Sequence, residues 1–177
     1  LVYCSSLAAG GPMQKGRPIS AIDRPQPISA YGRTKLAGET LIRAAMGEFG
    51  WTILRPPPVY GPRDRDVFLL FKTLKRGLMP YPGTGAQPLP MVHVEDLAHA
   101  TVLAGERTAA DGGPPPGRIY YVTDGDLRTF RGVLETIAKV LEVRPLRVGT
   151  PVAVMEVLGV LSQAWGRVTG QAVLLTP

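Results

Sequence analysis

Short apolar runs and longer stretches of helical periodicity take turns along this chain. Residues 1–4, 53–54, 91–94 and 119–122 are brief, apolar and bounded by Gly, Pro or hydroxyl residues, which predicts strands. Between them lie segments of another rhythm. In residues 29–49 the apolar Leu41, Ile42, Ala45, Met46 and Phe49 recur at helical spacing, Ser29 stands at the N-cap and Gly50 closes the helix. Residues 66–76 predict a short amphipathic helix stopped by Gly77. Glu95 and Asp96 open a helix to about Glu106, their charge suiting the positive end of its dipole. Thr129 caps a helix through Leu141, with Val133, Leu134, Ile137, Ala138 and Leu141 facing inward. A last helix is predicted from Thr150-Pro151 to about Thr169. Strand and helix in alternation predict an α/β fold with a wound parallel sheet.

The joints are rich in Pro and Gly. Residues 10–27 and 80–90 predict loops and turns, and residues 109–117 carry three prolines and three glycines. Residues 152–161 form a long apolar stretch, but Glu156 interrupts it and Gln163 and Arg167 follow. That falls short of the about 20 apolar residues of a membrane span, so packing within the fold is expected, with no membrane partner.

Composition supports a soluble globular unit, 45% hydrophobic and 19% charged. Twenty Lys and Arg against fourteen Asp and Glu leave a net charge of +6. The cations are scattered singly, so no nucleic acid is expected, while a phosphate-bearing cofactor suits the sign. Cys4 is the only cysteine, which excludes an internal disulfide; it is expected to pack as a small buried hydrophobe. His93 and His99 stand six apart, outside the spacing of a helical metal pair, so no metal centre is expected and His93 is read as structural. No leader segment is recognisable, and a cytoplasmic location is expected.

Candidate chemistry lies near the start. Tyr31 and Lys35 are four residues apart on the predicted helix, hence on one face. A free phenol is a poor base at neutral pH, and a fixed ammonium beside it favours the phenolate. Ser5 and Ser6, at the end of the first apolar run, offer hydroxyls to a substrate oxygen.

Four motifs occur in order: Ser-Ser-Leu-Ala-Ala-Gly-Gly-Pro at 5–12, Tyr-Gly-Arg-Thr-Lys at 31–35, Leu-Arg-Pro-Pro-Pro-Val-Tyr-Gly-Pro-Arg-Asp at 54–64, and Val-His-Val-Glu-Asp-Leu-Ala at 92–98. Together they resemble the extended short-chain dehydrogenase/reductase family, its NAD(P)-dependent epimerase/dehydratase group. Residues 5–12 lean toward the hydroxysteroid-dehydrogenase and dihydroflavonol-reductase-like branch. The resemblance implies Tyr31 as general acid or base, Lys35 on the nicotinamide ribose and supporting the phenolate, and Ser6 on the reacting oxygen. It places Ser5, Tyr31, Lys35, Pro56, Pro57 and Val59 at the cofactor, NAD or NADP. A small-molecule substrate is implied, and a homodimer through the Tyr31 helix is an assembly that relatives adopt.

The implied architecture is the C-terminal half of a doubly wound, Rossmann-like sheet. Residues 1–60 would hold part of that sheet, and residues 61–177 a small, mostly helical substrate lobe interwoven with its last strands. Two departures qualify the likeness. No Gly-x-x-Gly-x-x-Gly turn occurs, Leu1 is not Met, and Thr176-Pro177 announces another helix, so a C-terminal fragment, inactive and unstable alone, is expected. Gly10 and Gly11 stand where the usual pattern has Tyr-Gly, which turns the expectation from nucleotide sugars toward a small hydrophobic ketone or alcohol. Two other readings compete: a non-catalytic NAD(P)-binding relative serving as redox sensor or assembly subunit, and a hydrolase using Ser6. No Gly-x-Ser-x-Gly elbow supports the hydrolase.

Overall fold

A computed structural model describes residues 1–13, 17–45, 50–110 and 117–151. The elements run β1 (Val2–Cys4), α1 (Leu7–Gly10), α2 (Ala30–Ala44), β2 (Thr52–Arg55), β3 (Val59–Tyr60), α3 (Asp66–Lys75), β4 (Leu78–Pro82), β5 (Val92–His93), α4 (Val94–Ala110), β6 (Arg118–Tyr121), α5 (Phe130–Val140) and β7 (Leu146–Thr150). The fold is α/β with parallel strands, as the alternation predicts. The last predicted helix, the apolar stretch 152–161, Met46 and Phe49 lie outside the described residues.

The chain divides into two units. The first comprises Leu1–Arg63 and Pro90–Asp126. Its sheet has the order β1-β2-β6, every pair parallel, with Tyr3 opposite Ile53 and Leu54 opposite Tyr120. All four residues of the central β2 are buried, as expected of a parallel strand flanked on both sides. α4 packs on β1 and β2, while α1 packs on α2. β3 and β5 form a second parallel pair, with Tyr60 opposite His93.

The second unit comprises Asp64–Leu89 and Leu127–Pro177. β4 and β7 pair in parallel from Leu78↔Leu146 to Pro82↔Thr150. Among its described residues Leu74, Met79, Val133, Leu134, Ile137 and Ala138 are the buried apolar side chains. Four of them are the inward face predicted for α5, whose cap Thr129 accepts from Gly132 N at 3.1 Å. At α3 the Asp64 carboxylate accepts from Val67 N at 2.8 Å. No helix among the described residues is long and apolar enough to cross a membrane.

Several expectations are corrected. Leu41, named among the apolar residues at helical spacing, is 73% exposed, and Glu39 is fully buried in α2. The inner stripe of α2 runs through Gly32, Lys35 and Glu39, and Leu41 lies two residues further round. Cys4 is exposed rather than buried. Strand side chains alternate faces, Tyr3 meets Gly38 of α2, and α4 covers Val2 on the other face but leaves Cys4 open. β4 extends into the turn-rich segment 80–90, and Thr150 ends β7; the helix expected after it lies outside the described residues.

Candidate active site

Two short segments build the site, the end of β1 and the start of α2. β1 runs out at Cys4, and Ser5 N prolongs the ladder by donating to Leu54 O at 2.8 Å. The Ser5 hydroxyl is nearly buried, 4% exposed, and donates to Glu39 Oε1 at 2.5 Å. Ser6 turns the chain into α1: its backbone is extended and its Oγ accepts from Ala8 N at 3.2 Å, an N-cap contact.

α2 begins at a similar cap, Ser29 Oγ accepting from Gly32 N at 3.0 Å. Its first turn lies against α1 so tightly that a Cβ on Gly32 would run into the Ala8 carbonyl oxygen. That approach brings Tyr31 and Lys35 alongside the turn that Ser6 caps. Tyr31 is 52% exposed. Lys35 Nζ donates to Cys4 O at 3.3 Å and stands 5.8 Å from the centroids of both the Tyr31 and Tyr3 rings. One ammonium is thus held between the strand end and the phenol.

After β2, Pro56 and Pro57 are buried, and Pro56 O accepts from Leu7 N at 2.8 Å, tying this loop to the start of α1. Val59 is half-buried in β3. His93 stands edge-on to Tyr60 at 5.2 Å, and its Nδ1 accepts from Glu95 N at 3.4 Å, contacts of a packing residue.

Behind the site lies a group the sequence reading missed. Arg55 donates to Glu39 through Nε at 2.9 Å and Nη2 at 2.6 Å, and through Nη1 to the Tyr121 hydroxyl at 2.7 Å. Both ion-pair side chains are 1% exposed. Burial works against the Arg55 charge, but the hydrogen bonds and field of Glu39 outweigh it and hold the guanidinium above its ordinary pKa. Burial pushes the Tyr121 phenol up, and Arg55 offsets only part of that. The available signal was an arginine directly after the apolar Ile53-Leu54 of a strand expected in the middle of a parallel sheet, since a buried charge requires a partner.

The geometry supplies an exposed phenol, a tethered ammonium and backbone and hydroxyl groups from a strand end. Such donors fit the ribose and reacting end of a dinucleotide. No described residues form the Gly-rich cradle that its pyrophosphate uses.

Comparison with known proteins places the chain among nucleotide-dependent enzymes of one family. The profile of the "NAD dependent epimerase/dehydratase family" matches residues 1–122. An uncharacterised protein, y4nG of Sinorhizobium fredii, is 34% identical over 142 residues, covering 78% of this chain and 34% of that protein. The ceramide reductase of Caulobacter vibrioides is 30% identical over 156 residues, covering 85% of this chain and 46% of the reductase. Among solved structures, MoeE5 in complex with UDP-glucose and NAD superposes with a TM-score of 0.71 at 29% identity, over 85% of this chain and 50% of MoeE5. The chain therefore spans half or less of the length of these relatives. The expectation of NAD or NADP agrees with the family's NAD dependence. With the ordered motifs, the parallel sheet and the profile match in agreement, this chain belongs to the NAD-dependent epimerase/dehydratase family.

Proposed function

We propose that the full-length protein containing this chain is an NAD(P)-dependent oxidoreductase of the extended short-chain type, acting on a hydroxyl or carbonyl of a small, apolar substrate. The carrying observation is the Lys35 ammonium, bound to Cys4 O at 3.3 Å and 5.8 Å from the exposed Tyr31 ring. The cofactor, when bound, accepts or returns the hydride. Tyr31 takes the proton of the substrate hydroxyl in oxidation and gives it back to the carbonyl oxygen in reduction. Lys35 holds the ribose hydroxyls and sets its charge beside the transferring proton, so the proton moves without leaving an uncompensated charge. Ser6 orients the reacting oxygen by a hydrogen bond. Pro56, Pro57 and Val59 wall the nicotinamide, and Ser5 serves the cofactor through its place at the strand end. The second unit, from Asp64–Leu89 and Leu127–Pro177, is read as the substrate lobe. The outward Leu41 supports a homodimer through α2.

The test is Tyr31→Phe in the full-length protein. Turnover is expected to fall by about 1,000-fold or more while NAD(P)H still binds, as read by its fluorescence. Turnover at the wild-type rate refutes the assignment, and cofactor binding with no turnover by the wild type across a ketone and alcohol panel favours a non-catalytic relative.

A further inference from the structure

Glu39 is one helical turn beyond Lys35 and two beyond Tyr31, so all three belong to one slowly winding stripe of α2. Its carboxylate is buried in a network drawn from the C-terminal ends of three parallel strands. Ser5, just past β1, donates at 2.5 Å. Arg55, ending β2, grips both carboxylate oxygens at 2.9 and 2.6 Å. Tyr121, ending β6, stands opposite Arg55 in the ladder and accepts from Nη1 at 2.7 Å. Among the described residues no buried side-chain polar atom lacks a partner.

Such a pair is a weak source of stability, because removing both charges from water offsets most of their attraction. What the fork does supply is direction, since two parallel N–H···O bonds fix the carboxylate in plane and angle. The helix phase follows from that. A rotation of α2 by about 20° would carry a tyrosine hydroxyl, far outside the 2.3 Å helix radius, on the order of 3 Å sideways. A misplacement of about 1 Å is already enough to lower a rate about 100-fold.

Resting on the proposed function, we infer that Glu39, clamped by Arg55 with Ser5 and Tyr121, is a positioning residue that sets the rotational phase of α2 and so aims Tyr31 and Lys35 at the reacting atoms. Consecutive residues of the strand end then divide the task. Cys4 O holds Lys35, Ser5 Oγ holds Glu39, and Ser6 Oγ caps the facing turn.

The experiment separates aim from stability in the full-length protein. Replacing the pair by apolar groups of similar length, Glu39→Met with Arg55→Met, should keep the melting temperature within about 5 °C of wild type. It should lower kcat about 10- to 100-fold, with substrate KM and cofactor affinity changed less than about threefold. A folded double variant with wild-type kcat overturns the inference. Should the double variant not fold, Tyr121→Phe decides alone: a kcat loss of about threefold or more at unchanged KM upholds the inference, and an unchanged kcat overturns it. Tyr31→Phe run alongside distinguishes the two failures. If it turns over normally, the proposed chemistry has failed and the aim with it; if it is inactive while the network variants are fully active, only the positioning role has failed.

Discussion

Gly32 shows how a single missing Cβ can carry a site. A methyl there would meet the Ala8 carbonyl oxygen, with the Ala8 carbon 3.0 Å away, and backbone atoms cannot swing aside as a side-chain end would. Alanine in mid-helix ordinarily gains about 1 kcal/mol over glycine. Here overpacking, worth about 1–3 kcal/mol, acts against that gain. Gly32→Ala is therefore expected to lower the melting temperature and the turnover of the full-length protein together. A variant as stable as wild type, measured by thermal denaturation, would show that the α1–α2 contact is looser than described. The neighbouring Tyr31 and Lys35 were legible from sequence because their relation is local, four residues within one helix. Glu39, Arg55 and Tyr121 were not, because their bonds join residues 16 and 66 positions apart, and no periodicity reports such pairings.

Elements were legible in proportion to how regularly they bury one face. α5 carries apolar residues at 133, 134, 137 and 138, and those four are its buried side chains. Leu134 is 1% exposed and Val140, on the same helix, 73%. Leu134→Ala should destabilise the protein by about 2–5 kcal/mol, and Val140→Ala by well under about 1 kcal/mol. Urea unfolding of both variants checks this, and equal effects would contradict the placement of α5. β4 and β7 were hidden for opposite reasons. Leu-Met-Pro-Tyr-Pro at 78–82 reads as a turn because proline lacks the ladder donor, yet proline is tolerated where a strand edge makes no demand on that nitrogen. In β7 the alternation is only Leu146, Arg147 and Val148 before Gly149, too short to mark a strand, and four of its five residues are exposed. Inside α2 the periodicity pointed to the wrong face, because a buried ion pair and two glycines, rather than leucines, line its inner side.

At the scale of the whole molecule, the family match ends at residue 122, near the end of the first unit at Asp126. The likeness to individual relatives runs further, over 85% of the chain, so the choice among substrates must draw on features particular to this chain. Gly10 is one. The usual pattern has an aromatic phenol there, but a Cβ on Gly10 would collide with the Tyr121 hydroxyl that Arg55 holds. Gly11 follows at φ 94, and a Cβ there would strike the Gln26 backbone, so this turn accepts no larger side chain at either position. The glycine pair resembles the branch that takes small apolar ketones and alcohols, and that resemblance sets the expected preference. Discrimination between apolar groups in a pocket is worth about 1–3 kcal/mol each, or about 10- to 200-fold. The full-length protein is accordingly expected to turn over apolar ketones or secondary alcohols with kcat/KM at least about tenfold above UDP-glucose. Following NAD(P)H absorbance with the ketones and alcohols, and both NAD(P)H absorbance and product formation by chromatography with UDP-glucose, decides between the two classes. UDP-glucose turned over faster than every apolar ketone and alcohol would show that Gly10 and Gly11 answer to packing alone.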